Sequence, residues 1–191
     1  MLKIVRSALL LLALLSLLTG LAYPLLVTGI AAQVFPHQAN GSLVTRNDNV
    51  VGSELIGQSF TAQGYFWGRP SATAPMAYNG AAGAGTNAGP TNPALRQSVV
   101  DRLAAIKKSH PDQAGVVPID MVTSSASGLD PHITPAAALY QAARVAHARG
   151  LPEQSVRDLI SQHTQTRTFG VLGERRVNVL LLNLALDGQA K

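Results

Sequence analysis

The densest run of residues that could do chemistry lies between Thr123 and Pro135. It holds Ser127, Asp130 and His132, the three residue types of a hydrolase triad. A triad needs its members to converge in space, with the serine on a strained turn, and no G-x-S-x-G motif is present. Ser, Asp and Pro also form tight hydrogen-bonded turns. The pattern therefore favours a turn that leads into a helix, and a membrane-anchored hydrolase using Ser127 and His132 is the alternative.

The remaining chemistry-bearing residues show no spacing typical of a metal or nucleotide site. The five histidines, at positions 37, 110, 132, 147 and 163, form no H-E-x-x-H or other paired ligand motif. The glycine-rich stretch 83–87 lacks the G-K-[ST] of a phosphate-binding loop and favours a flexible loop. We expect no catalytic residue, no metal and no directly bound cofactor in this chain. Arg144 and His147 lie three residues apart in a predicted helix, which indicates a solvated or partner-facing edge.

An apolar segment precedes all of these residues. No Asp, Glu, Lys or Arg occurs from Ser7 to Thr45, and half of the residues from Ser7 to Thr28 are leucine. As a helix, Ser7–Thr28 rises about 33 Å and can cross a hydrocarbon core. Pro24 is expected to bend this helix or to end its regular part, because proline has no N–H. A cleaved signal peptide is the alternative, although its apolar region usually has only about 7–15 residues.

The positions of the charges give this helix a direction. Lys3 and Arg6 precede it, and the next cation is Arg46. The positive-inside rule then keeps the N-terminus in the cytoplasm and exports the residues after the helix. We predict a cytoplasmic tail at 1–6, a membrane-spanning signal anchor at 7–30 and an exported domain at 37–191. The absence of cysteine is compatible with an exported domain without disulfides.

The exported part has the signals of a single α+β domain. Four segments are β-prone, at 42–45, 50–51, 116–122 and 177–182. Capping residues, Pro and Gly delimit three helices, at 93–110, 135–149 and 152–162. This order predicts a small sheet with about three main helices. Without Lys3 and Arg6, the chain has 13 Lys and Arg against 10 Asp and Glu, and this net charge of +3 is modest and unclustered, which argues against a nucleic-acid partner.

Two further segments leave their roles open. The aromatic run Tyr65–Trp67 is interpreted as core, with a ligand or partner anchor as the alternative. Residues 70–92 consist almost entirely of Pro, Gly, Ala, Ser, Thr and Asn, and carry no charge. A connection of that length is either a functional loop or a mobile one.

Taken in order, the motifs of the chain resemble the KdpC family, the C subunit of the Kdp-type potassium-transporting P-type ATPase. The resemblance covers nearly the whole chain and includes Gly52-Ser53-x-Leu55-Ile56-Gly57-Gln58, Tyr65-Phe66-x-Gly68-Arg69-Pro70 and Ser125-Ala126-Ser127-Gly128-Leu129-Asp130. At 83–87 the sequence departs from the family's usual Ser-Gly-Gly-Ser-Asn. The family motifs supply these candidates for partner contact: Asn40, Gly41, Ser42, Gly57, Gln58, Phe60, Tyr65, Phe66, Gly68, Arg69, Pro70, Ser71, Asn87, Ser125, Ser127, Gly128, Asp130, Arg144, Arg149, Asn178 and Asn183.

This resemblance implies a place in a complex of the bacterial inner membrane. Its other members are a channel-like, potassium-selecting A subunit (KdpA), a P-type ATPase B subunit (KdpB) and a small F peptide (KdpF). The C subunit is implied to be non-catalytic and needed for assembly and activity, with ATP and Mg²⁺ bound by the B subunit and K⁺ as the transported ion. A second implied role is a catalytic chaperone that raises the ATP affinity of the B subunit. The predicted topology argues against direct ATP contact, because only about six residues face the cytoplasm.

The charge of the exported domain limits what it can do with potassium. A domain with a small positive charge does not concentrate K⁺ by long-range steering. Any ion handling would then fall to backbone carbonyls or to local acids such as Asp120 and Asp130.

Overall fold

A computed structural model of the chain describes residues 1–189. The chain divides into two compact units, residues 1–43 and the residues from Val44 onward. The first unit is helical, and the second combines helices with two small antiparallel sheets. The predicted fold class, one long N-terminal apolar helix followed by an α+β domain, is confirmed.

The first unit is built around one long apolar helix. It consists of α1 (Leu2–Leu17), a π-helical turn (Leu18–Ala22) and α2 (Tyr23–Val34). A short helix, α3 (Pro36–Ala39), comes next. Within residues 1–189, Leu2–Val34 is the one helix that passes the length and composition test for crossing a membrane, with a mean hydropathy of 2.3. None of its side chains is buried within the chain, and a helix that is apolar on every face is normally covered by a protein core or by a membrane.

The helix does not end at Pro24. Proline has no N–H to donate to the carbonyl four residues earlier, which would break a regular α-helix. Here the π-helical turn lies directly before Pro24, and its wider spacing is marked by the Tyr23 N–H donating to the carbonyl of Leu18. A π turn is one of the recognised ways in which a helix accommodates such a defect. The regular α-helical hydrogen bonding is therefore interrupted just before Pro24, but the helix continues to Val34.

The second unit begins with a hairpin. Strands β1 (Leu43–Arg46) and β2 (Asn49–Ser53) pair in a two-stranded sheet. The two residues between them, Asn47 and Asp48, have φ values of 51° and 61°. Tight hairpin turns need positive φ at both central positions, and Asn and Asp are among the few residues that tolerate it. This agrees with the turn predicted from the sequence.

The second sheet draws together segments that are far apart in the chain. Its strands are β3 (His132–Ile133), β4 (Thr164–Gln165) and β5 (Arg176–Asn178), in the antiparallel order β3-β5-β4. In the register, Ile133 and Thr164 both lie opposite the buried Val177. The sheet thus connects the segment before the second predicted helix with the segment after the third.

The three predicted helices are confirmed within a residue or two. They are α4 (Pro93–Ser109), α5 (Pro135–Arg149) and α6 (Glu153–Gln162). Asn92 caps α4 by accepting from the Ala94 N–H, and Thr134 caps α5 by accepting from the Ala137 N–H. Gly150 ends α5 in the left-handed conformation, with φ 64°.

Two strand predictions are wrong. Residues 116–122 form a loop and a single 3₁₀ turn (Ile119–Met121), because Pro118 removes a ladder donor and restricts the backbone. Residues 177–182 are strand only to Asn178, after which α7 (Val179–Gln189) begins. The Asn178 side chain accepts from the Leu181 N–H at 3.1 Å, as an N-cap does. Asn178 lies inside the apolar run 177–182, whose composition also suits a strand.

The hydrophobic core lies where α5, α6, α7 and the second sheet meet. Phe66 is completely buried in it, although it belongs to no helix or strand. The other fully buried apolar side chains come from these elements: Ala137, Ala138, Ala142, Val145, Val156, Val177, Leu182 and Leu186. The small residues of α5 allow its neighbours to approach closely. The core interpretation of the aromatic run therefore holds for Phe66.

Candidate functional site

The aromatic run 65–67 is held by side-chain amides from two helices. Asn183 on α7 accepts from the Phe66 N–H at 2.8 Å and donates to the Phe66 carbonyl at 3.0 Å. Gln141 on α5 accepts from the Trp67 N–H at 2.8 Å and donates to the Trp67 carbonyl at 3.1 Å. Both amides are buried. They provide the backbone pairing that a neighbouring strand would otherwise supply, which a buried backbone requires.

Arg144 adds a second layer of contacts to this run. Its guanidinium lies 4.1 Å from the centre of the Trp67 ring and donates to the carbonyls of Gln63 and Tyr65. It also donates through Nε to His110 Nε2 at 2.9 Å. Burial lowers the pKa of Arg144 to about 10. The predicted solvated edge is therefore wrong for Arg144, whereas the neighbouring His147 is exposed.

Arg149 connects the same run to α7. It donates to the Gly64 carbonyl, forms a 2.7 Å ion pair with Asp187, and lies 4.6 Å from the centre of the Tyr65 ring. Asp187 also accepts from Tyr65 Oη and from Arg46. Burial raises the pKa of Asp187, but its hydrogen bonds with Arg149, Tyr65 and Arg46 outweigh this and leave the pKa below its ordinary value. We call Gln141, Arg144, Arg149 and Asn183 the aromatic clamp.

A second cluster joins the segment after Gly68 to the segment 123–131. Arg69 forms an ion pair with Asp130 at 3.3 Å and donates to the Ser124 carbonyl at 3.1 Å. The other Asp130 oxygen lies 3.3 Å from His132 Nδ1 and accepts from the His132 backbone N–H. Burial raises the pKa of Asp130, but the bonds from His132 and the Arg69 charge outweigh it, and the net shift is downward. Arg69 and Asp130 also line an open cavity of about 320 Å³ with His132.

The charge-free stretch 70–92 folds onto the same segment. Ser71 Oγ donates to the Gly128 carbonyl at 2.7 Å, and Tyr78 Oη donates to the Arg69 carbonyl. Gly128 has φ 69°, and a Cβ there would come within 2.7 Å of the Thr73 methyl group. Burial, together with the nearby Asp130 charge, raises the pKa of Tyr78 to about 12. Without a helix or strand of its own, this stretch is positioned by the segment beneath it. We call Arg69, Ser71, Gly128 and Asp130 the loop junction.

The Ser-Asp-His run does not form a triad. Ser127 is exposed, and its hydroxyl accepts from the Leu129 N–H at 3.1 Å, which is the local turn the sequence favoured. His132 contacts Asp130 instead, and within residues 1–189 no hydrogen bond joins it to Ser127. Asp120 is buried and accepts from both the backbone and the hydroxyl of Thr134, so it supports the start of α5.

The other predicted residues are scattered. Asn40 donates to the Pro36 carbonyl and lies with Gly41 and Ser42 in the first unit. Asn87 is exposed, and Ser125 is buried. Three of the remaining residues donate hydrogen bonds to carbonyls of other segments: the Gln58 side chain to Val51, the Gly57 N–H to Leu129, and the Asn178 side chain to Glu54. The Phe60 ring packs against the Tyr65 ring. Gly68 and Pro70 are half-buried beside Arg69. The proposal that these residues contact partners stays a prediction.

Sequence reasoning missed three residues that the structure makes central. The Gln141 side chain hydrogen-bonds the backbone of Trp67. Asp187 forms ion pairs with Arg46 and Arg149. The Tyr78 hydroxyl donates to the backbone carbonyl of Arg69. Each carried a weak signal. Gln141 is a polar residue within an apolar helical stretch, Tyr78 is the only aromatic residue in 70–92, and Asp187 is the only acid in the last apolar run. None of these signals specifies a partner.

The two clusters differ in burial. Gln141 and Asn183 of the aromatic clamp are buried, whereas the Arg69 and Asp130 side chains of the loop junction are 26% and 29% exposed. Among the described residues, no hydrogen-bond partner is found for the buried Arg69 Nε. In the part of the chain that the structure describes, no three His, Cys, Asp or Glu side chains are grouped so as to hold a metal ion. Together, the apolar N-terminal helix and the α+β domain fit a single-pass membrane protein.

Comparison with known proteins gives the family. Residues 5–188 match the family described as KdpC, the K⁺-transporting ATPase c chain. The "Potassium-transporting ATPase KdpC subunit" of Polaromonas naphthalenivorans (strain CJ2) is 60% identical over 185 residues, which cover 97% of this chain and 94% of the relative. The protein of the same name from Variovorax paradoxus (strain S110) is 59% identical, over 98% of this chain and 97% of the relative. The chain belongs to the KdpC family.

Proposed function

We propose that this chain is a non-catalytic accessory subunit of an ATP-driven potassium uptake complex of the inner membrane. Its partners are a channel-like A subunit (KdpA), a P-type ATPase B subunit (KdpB) and a small F peptide (KdpF). One observation carries the proposal. The family match runs from residue 5 to residue 188 and so includes both the apolar helix and the α+β domain. The helix anchors the chain, and the domain braces the potassium entrance.

The proposed orientation places the domain on the outer face of the membrane. Lys3 and Arg6 stand before the apolar helix, and its far end carries no charge until Arg46. The chain has no cysteine, so single cysteines can be introduced and labelled without background. In spheroplasts, V116C should react with a membrane-impermeant maleimide, because Val116 is 93% exposed. K3C should react only after permeabilisation, and the reverse pattern would contradict the orientation.

In this proposal, ATP and Mg²⁺ stay on the B subunit. An exported domain is separated from cytoplasmic ATP by the bilayer. Any effect on ATP affinity would then be transmitted through the helix or through the A subunit. A photo-reactive ATP analogue should label the B subunit in the purified complex and leave this chain unlabelled. Labelling of this chain would contradict the proposal.

The decisive experiment compares complexes purified with and without this chain. The A, B and F subunits are co-expressed with it, and the complex is isolated through a tag on the B subunit. We expect potassium-stimulated ATP hydrolysis only when the chain is present and co-purifies. A matched chain, with Leu2–Val34 replaced by an unrelated apolar helix of equal length, tests whether the helix acts as an anchor alone. Full activity without the chain would overturn the proposal.

A further inference from the structure

A small finger projects from the α+β domain between β4 and β5. Thr168 and Leu172 pair by two backbone hydrogen bonds of 2.9 Å, and the chain turns between them through Phe169 and Gly170. At the base, both carboxylate oxygens of Glu174 accept from Arg167 Nη2, at 2.9 and 2.7 Å. We call residues 167–174 the finger. These hydrogen bonds and the Arg167–Glu174 ion pair fix the conformation of the tip.

The tip presents large apolar side chains to solvent. Phe169 is 89% exposed, Val171 72% and Leu172 59%. Phe169 also has φ 53°, in the left-handed region that non-glycine residues rarely adopt. An exposed aromatic side chain on a strained backbone stabilises neither the core nor the turn. Such backbone strain lowers the stability of the fold, and it is found mainly at functional sites.

The charges around the tip indicate what it would meet. The segment 166–176 holds three arginines and one glutamate. Because Arg167 pairs with Glu174, the net positive charge lies at Arg175 and Arg176, beside the base of the finger. Arg167 and Arg175 are exposed, and Arg176 is half-buried. Phe and Arg are among the residue types enriched at protein–protein contacts, in which a few anchoring side chains supply most of the binding energy. The complementary surface is an apolar pocket rimmed by carboxylates.

We propose that the finger inserts into such a pocket on another subunit of the potassium-transporting complex, which rests on the complex membership proposed above. A lipid surface is the less suitable occupant, because a bilayer accepts mobile apolar side chains and gains little from the hydrogen bonds and the Arg167–Glu174 ion pair that fix the shape of this tip. A rigid anchor lowers the entropy lost on binding to a shaped pocket.

Photo-crosslinking in the intact complex tests this directly. A benzoyl-phenylalanine is placed at position 169 of the full chain, and at position 116 as a control, since Val116 is similarly exposed and apolar. After irradiation of the purified complex, mass spectrometry identifies the adducts. We expect a peptide of another subunit joined to position 169 and not to position 116. Adducts only with lipid or with a second copy of this chain, or no adduct above the control, would overturn the proposal.

A substitution supplies an independent measurement. Phe169→Asn removes the ring but tolerates positive φ, and Val116→Asn is the matched control. Loss of an anchoring aromatic should lower the amount of chain retained in the complex at least tenfold under dilute conditions. Thermal unfolding of the variant chain alone should occur at no lower temperature than for the wild type, because the exposed ring contributes nothing to the core and Asn tolerates the φ of 53°. Unchanged retention would overturn the finger proposal while leaving the complex membership intact, whereas absence of the wild-type chain from the complex would overturn both.

Discussion

The side chain of Asn183 pairs with the backbone of Phe66 as a strand would, accepting from its N–H at 2.8 Å and donating to its carbonyl at 3.0 Å. The two residues are 117 positions apart in the chain. This pairing allows an irregular segment to cross the core, because the Phe66 ring is fully buried and its peptide groups have no water to bond. Asn183 therefore links α7 to the aromatic run.

Asn183→Leu should be strongly destabilising. It removes both partners of the Phe66 peptide groups and leaves a buried donor and acceptor unsatisfied, at a cost of about 2–4 kcal/mol in the free energy of unfolding. Chemical denaturation of the full chain in detergent measures this, with Trp67 fluorescence as the probe. Gln154→Ala is the control, since it removes an exposed amide that donates to Asp158. A loss for Asn183→Leu no larger than the control's would contradict the prediction.

Arg144→Lys should cost about 1–3 kcal/mol, although it retains the charge. A lysine ammonium cannot reach the several acceptors of the planar guanidinium or stack as it does on the Trp67 ring. Because Trp67 is the only tryptophan, its emission maximum should shift in the folded variant. Arg157→Lys changes an exposed pair with Glu153 and is the control. Identical spectra and stability in the two variants would show that the guanidinium geometry is unimportant.

The His110–Arg144 contact predicts a pH effect. Arg144 Nε–H donates to His110 Nε2, so that nitrogen must be unprotonated, and His110 Nδ1 then donates to the Ile106 carbonyl at 2.8 Å. Burial, opposed by the Ile106 bond and reinforced by the Arg144 charge, lowers the pKa of His110 below 6.5. Below pH 6.5 the unfolded chain therefore binds more protons than the folded chain, and the free energy of unfolding falls as the pH drops.

Denaturation between pH 7.5 and about 5 tests this effect. His110→Gln should flatten the pH dependence in that window, because the group that titrates differently in the folded and unfolded states is gone. His147→Gln, which changes an exposed histidine on α5, is the matched control variant. A wild-type slope retained in His110→Gln would assign the effect to other groups.

Gly128→Ala should loosen the stretch 70–92. The new Cβ would lie 2.7 Å from the Thr73 methyl group and 3.3 Å from the Thr73 nitrogen, at a φ of 69°. Gly150→Ala has a similar φ of 64° but nothing within 4 Å, so it measures the backbone strain alone. We expect a loss of about 1 kcal/mol for Gly150→Ala and about 2–4 kcal/mol for Gly128→Ala. Faster proteolysis within 70–92 should accompany only Gly128→Ala, and equal losses would remove the steric explanation.

Asp130→Asn should leave the apparent potassium affinity of the assembled complex unchanged. Both carboxylate oxygens already bond within the chain, to Arg69 and His132, and Asp130 is therefore poorly placed to bind an ion. The variant should lower stability by about 1–3 kcal/mol, because it weakens the loop junction. Asp158→Asn, at an exposed site, is the control. A reduced potassium affinity with assembly intact would restore Asp130 as an ion-handling residue.

Local signals explain which parts of the fold could be predicted. The caps Asn92 and Thr134 and the stop Gly150 act on the residues next to them, so their helices were predictable from short windows. Asn178 shows the limit. The same apolar run suits a strand or a buried helix, and only the bond from Leu181 N–H to its side chain distinguishes them. The motif residues were also found without structure, but their partners were not.

The sequence by itself determined the long apolar N-terminal helix, the α+β class, the three central helices and, through its ordered motifs, the resemblance to the KdpC family. Tertiary structure decided what the motif residues do. It paired Asn183 with Phe66, Gln141 with Trp67 and Arg69 with Asp130, and it separated Ser127 from His132. It also placed the apolar tip of the finger in solvent, although in the sequence this tip looks like any other short hydrophobic run. The physical reason is range: caps and turns are satisfied within about four residues, whereas buried polar groups take whichever partner the packing of distant segments brings to them.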